Sequence, residues 1–127
     1  MNVLDENLIK QLSFPDCLVE RMDFNPKKKE LIIYVQGGWL DINAGIKFKR
    51  TILSFSQWEK LLIRKFDSIQ EKWESLKDEK VEFLTDIPEI KIFDSTVKLS
   101  GFSNSTGFWI EWCLSNVKVQ IHYEEED

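Results

Sequence analysis

Residues Glu89–Tyr123 read EIKIFDSTVKLSGFSNSTGFWIEWCLSNVKVQIHY. Phe108, Ile110, Trp112 and Leu114 alternate there with Trp109, Glu111 and Cys113. Val117, Val119, Ile121 and Tyr123 alternate with Lys118, Gln120, His122 and Glu124. Successive side chains of a strand point to opposite faces, so one set packs on a core and the other meets solvent. The pattern predicts strands at about 89–93, 96–102, 107–114 and 117–123. Asp94-Ser95 and Ser115-Asn116 read as two-residue turns, and Ser103–Gly107 as a looser hairpin loop. With Ser115-Asn116 as a hairpin, Leu114 faces Val117 and His122 faces Trp109.

Upstream, Cys17–Phe24 and Glu30–Gln36 read as a hairpin around Asn25-Pro26 and the Lys27–Lys29 tip. Gly37-Gly38 breaks the ladder just before Trp39, and Asn43-Ala44-Gly45 is another turn. Ile46–Phe55 is a strand with a fault. Ile46 and Phe48 share one parity, whereas Leu53 and Phe55 share the other, which predicts a bulge near Arg50 and Thr51. Residues 1–14 carry a short helix-like pattern ended by Pro15.

The middle of the chain reads as helix. Ser56-Gln57-Trp58-Glu59 matches a capping box. Trp58, Leu62, Phe66, Ile69, Trp73 and Leu76 then fall at helical spacing to about Lys77, forming one apolar stripe. Ser68-Ile69-Gln70-Glu71 is a second such box, so a rival reading makes Leu61–Asp67 extended and starts the helix at Ile69. The expected fold is α+β: one domain over 1–127, with a mostly antiparallel twisted sheet of six or seven strands packed against one main helix. The acidic tail, 124–127, is expected to fray. Strand order and oligomeric state stay open.

Composition narrows the function classes. Hydrophobic residues make up 43% of the 127 and aromatics 13%, which excludes general disorder. The formal charge of −5 argues against nucleic acid or an anionic membrane as the main ligand and is compatible with a basic protein partner. Two cysteines 96 positions apart are no disulfide framework, and they read as buried thiols. The first residues lack a signal-peptide pattern and no run approaches the ~20 apolar residues of a membrane helix, which predicts a cytosolic chain.

Chemistry is sparse. His122 is the sole histidine, so no common metal-ligand set is present. Cys113 and His122 are not expected to touch, and scattered carboxylates such as Glu111 and Glu124 read as surface charge. Gly37-Gly38 does not fit a phosphate loop. No catalytic residue, metal or cofactor is expected, and the chain reads as non-enzymatic.

The pattern G-F-x(4)-G-x-W-x-E-aromatic over Gly101–Trp112, with Gly37-Gly38-Trp39 ending an earlier strand, resembles small bacterial immunity proteins of polymorphic-toxin systems. The resemblance spans about 30–55 and 96–123. It implies an acidic, cytoplasmic, single-domain binding protein that blocks a cognate toxin, often a nuclease, by occluding its active site. The candidate contacts are Trp39, Asp41, Trp109, Glu111 and the tail residues Glu124, Glu125 and Glu126. The alternative is a small-ligand or carbohydrate-binding β domain, with Trp39 and Trp109 lining one pocket.

Overall fold

The computed structural model describes residues 1–126. It holds β1 (Asn2–Leu4), β2 (Leu12–Ser13), β3 (Val19–Asn25), β4 (Glu30–Val35), β5 (Gly38–Leu40) and β6 (Ile46–Ser56). The later strands are β7 (Lys60–Asp67), β8 (Lys72–Ser75), β9 (Glu89–Phe93), β10 (Thr96–Phe102), β11 (Trp109–Ser115) and β12 (Lys118–Glu125). They form two sheets. The first has the order β1-β12-β6-β4-β3, with β5 paired to β6 and to β2. The second has the order β8-β7-β11-β10-β9. All pairings are antiparallel.

The period of two places the core between the sheets. In the first, Leu4, Ile121, Leu53, Ile33 and Met22 stand opposite one another across five strands, and all are buried. In the second, Ile63, Trp112 and Leu99 form the matching row, also buried. Phe24 of the first sheet meets Trp112 of the second, joining the rows into one core. The architecture is a two-layer β-sandwich.

The expected α+β class with one main helix is overturned. The described chain is 60% strand and 7% helical, and its helical residues lie in two short 3-10 turns. The stretch expected to be helix over 57–77 is the hairpin β7–β8. Gln57 takes a φ of +56, which turns the chain straight after β6. Glu59 does not reach back to Ser56; its carboxylate accepts a hydrogen bond from the Asn116 side-chain amide at 2.6 Å. The second capping-box site is the hairpin turn itself, where Asp67 Oδ1 accepts from the Ile69 and Gln70 amides at 2.9 and 3.1 Å. Ile69, the middle of the expected stripe, is 82% exposed. Ile63, which the stripe leaves out, is buried against the sheet. The extended option for 61–67 is the one observed, without the helix that was to follow it.

Other local readings hold their places. Asn25 Oδ1 caps the β3–β4 turn by accepting from the Lys28 amide. Asp94 and Ser95 both have positive φ, 47° and 62°, as a two-residue hairpin turn with the twist of its strands requires. The parity fault in β6 is a register shift: Glu124 faces Arg50 but Glu125 faces Phe48, so Lys49 is the extra residue. Ser115-Asn116 is different. It is no hairpin, because β11 lies in the second sheet and β12 in the first. Trp109 therefore faces Phe66 rather than His122. Residues 1–14 hold β1, a 3-10 turn at Glu6–Gln11 and β2. Glu124 and Glu125 continue β12, and Glu126 donates its amide to the Lys47 carbonyl. Asp127 lies outside the described residues.

Candidate functional site

The outward face of the second sheet carries a row of aromatic rings. Trp73 on β8 stands opposite Phe66 on β7, Phe66 opposite Trp109 on β11, and Trp109 opposite Phe102 on β10. Direct cross-strand pairing puts all four on one face. Phe66 and Trp73 have centroids 5.3 Å apart with planes at 58°, and Phe102 and Trp109 are 5.2 Å apart at 82°. Trp73 is 43% exposed and Phe102 49%, although a core would have taken rings of this size.

One residue pair along, charge replaces carbon. Arg64 stands opposite Glu111, and Lys98 lies one pair further on β10. Arg64 Nη2 donates to Glu111 Oε1 at 2.6 Å, and Lys98 Nζ lies 3.2 Å from Oε2. Burial pushes the Glu111 carboxyl upward, but the hydrogen bonds and charges of Arg64 and Lys98 outweigh it and hold it below the usual carboxylate range. The Arg64 guanidinium also lies over the Trp73 ring, 4.4 Å from its centroid. The aromatic row and the ion cluster therefore brace each other. By register this face carries Lys60, Arg64, Lys91 and Lys98 against Glu89 and Glu111, so it is locally basic although the whole chain is acidic.

A second network fixes the adjoining loop. Glu82 Oε1 accepts from Ser103 Oγ and Thr106 Oγ1, both at 2.6 Å, and Lys65 Nζ lies 2.8 Å from Oε2. Burial raises the Glu82 carboxyl, while Lys65, Ser103 and Thr106 together lower it below its ordinary value.

The residues singled out from sequence do not form one site. Trp109 and Glu111 lie on the face just described. Trp39 and Asp41 are at the end of the first sheet, where the Trp39 indole packs over Gly45 and a Cβ there would collide with it. Glu124 and Glu126 pair with Lys49 and Lys47 at 3.7 and 3.5 Å, so these tail carboxylates are partly spent within the chain, whereas Glu125 is exposed. Trp39, Lys47, Lys49, Glu126 and Cys17 line an open groove of about 680 Å³, which Trp109 does not reach. Cys17 and Cys113 are free, half-buried thiols, and burial raises that of Cys17. Phe66, Trp73 and Phe102 are not among the residues the sequence singles out, since helical spacing places the first two on a buried stripe. The signal that finds them is the Asp67–Ile69 turn, which sets Phe66 opposite Trp73.

Among the described residues no group of three or more His, Cys, Asp or Glu gathers as a metal site, and no helix is long and apolar enough to cross a membrane. No protein-family model, curated protein or solved structure matches this chain.

Proposed function

We propose that this chain is a binding protein that works without turnover, holding a protein partner against the aromatic row, and that its role is to neutralise a toxin domain by occlusion, as an immunity protein does. The observation that carries the binding reading is the row Trp73–Phe66–Trp109–Phe102 across four adjacent strands. Exposed Trp and its aromatic neighbours on a rigid sheet are the side chains that dominate protein interfaces. Their mutual tilts of 58° and 82° favour this over a polysaccharide, which stacks on rings lying in one plane.

The local charge refines the partner. A face with four basic and two acidic side chains attracts an acidic surface and repels a basic one. Occlusion of a basic nuclease cleft is therefore not supported by this face, whereas a toxin surface of apolar residues rimmed by carboxylates is. A second reading, a small ligand at Trp39, draws support from the groove beside Cys17 and Lys47.

Calorimetry against the product of the adjacent upstream gene tests the proposal. Binding by the native chain, weakened at least tenfold in the Phe66→Ala/Trp109→Ala variant, is expected. No binding, or equal binding by the variant, overturns it.

A further inference from the structure

We infer that β8 is a docking edge for a second copy of this chain, the two β8 strands pairing antiparallel about a twofold axis at Trp73. β8 ends the second sheet, and all four of its residues are exposed. Which backbone groups face outward follows from its pairing. The Leu76 amide donates to the Ile63 carbonyl at 2.8 Å, so residues 72, 74 and 76 bond to β7. The N–H and C=O groups of Trp73 and Ser75 then point away from the sheet, as hydrogen-bonding residues alternate along an antiparallel strand. Such an edge templates a further strand unless something blunts it.

The register follows from charge. Pairing Trp73 with its own copy sets Lys72 opposite Glu74 of the other chain, and Glu74 opposite Lys72, by the twofold. These are non-hydrogen-bonded pairs, where side chains come closest. A slide of two residues one way sets Glu74 against Glu74; the other way sets Lys72 against Lys72. Like charges directly opposite destabilise a sheet, so one register is selected. The groups are available. Lys65 is committed to Glu82 at 2.8 Å and lies 3.9 Å from Glu74, whose side chain is 60% exposed. Lys72 has no carboxylate partner among the described residues. In this register Trp73 meets Trp73 on the outer face, and the aromatic row runs on unbroken into the second copy.

Sedimentation velocity over a range of concentrations, with the full chain, tests this. The native protein is expected to form a concentration-dependent dimer. Lys72→Glu is expected to weaken it at least tenfold and the Lys72→Glu/Glu74→Lys exchange to restore it, while Trp109→Ala leaves it unchanged. In a Cys17→Ser/Cys113→Ser background, Trp73→Cys is expected to oxidise to a covalent dimer, because paired Cα atoms about 5.5 Å apart suit a disulfide. Ser75→Cys, set opposite Glu71, is expected to stay uncrosslinked. A monomer at all concentrations, a dimer indifferent to Lys72→Glu, or equal crosslinking at 73 and 75 overturns the inference. The proposed toxin binding is a separate measurement and stands or falls independently.

Discussion

The ring of Phe24, on the first sheet, meets the indole of Trp112, on the second, edge-on with centroids 5.1 Å apart. Phe83 stacks on the same indole from the segment that joins β8 to β9, the two edge strands of the second sheet, and Trp112 Nε1 donates to the Glu82 carbonyl at 3.2 Å. One side chain thus ties both layers and the β8–β9 connection. Trp112→Ala is expected to cost about 3–5 kcal/mol, the range for emptying an aromatic site in a packed core. Urea unfolding followed by the remaining tryptophans measures it.

Ile63 and Ile69 separate the helical reading of the middle segment from the observed hairpin. Ile63 is buried on β7, and its truncation to Ala is expected to cost about 2–4 kcal/mol. Ile69 sits at the exposed turn, and Ile69→Ala is expected to stay within about 0.5 kcal/mol of the native protein. A helix with the stripe Trp58–Leu76 inverts this order, so a pair of denaturation curves decides between the two.

That contrast shows how far the residues themselves reach. The alternation around Ile110 and Ile121, the Asp94-Ser95 turn, the Asn25 turn and the fault in β6 are local features, and each is where the sequence puts it. The middle segment fits a period of 3.6 through Leu62, Phe66, Ile69 and Trp73, and a period of 2 only briefly, through Leu61 and Ile63; pairing with β11 decides it. No local signal separates β11 from β12, because a two-residue turn and a crossing between layers both begin with Ser-Asn. Trp109 and Glu111 were legible as a face, but their neighbours Phe66, Trp73, Arg64 and Lys98 come from strands whose order no turn specifies.

Stability should fall in acid. Glu82 and Glu111 both have folded values depressed below the unfolded one, since their cationic and hydroxyl partners outweigh burial. Their contribution is complete above the ordinary glutamate value of about 4.3 and is lost as pH falls through the lower folded values. Glu82→Gln/Glu111→Gln is expected to be less stable at pH 7 and to show a flatter decline between pH 5 and pH 3. Chemical denaturation across that interval reads both effects.

Trp109→Ala is expected to separate binding from folding. Its ring lies on the outer face, so the stability cost should stay near 1 kcal/mol, while loss of a central aromatic contact should weaken partner binding by about 2 kcal/mol or more. Parallel calorimetry and thermal unfolding distinguish the two.

The strand that completes the first layer is synthesised after the other eleven described strands. β12 lies between β1 and β6, so β1 and one side of β6 wait for residues 118–125 before they can pair. On the ribosome the growing chain must hold an open, sticky seam while β7 to β11 emerge and assemble the other layer. Closure comes from joining segments more than 110 positions apart in the case of Leu4 and Ile121, a contact costly in loop entropy. Until that closure the unpaired edges of β1 and β6 are open to wrong partners, which makes the stage just before it the one most prone to aggregation.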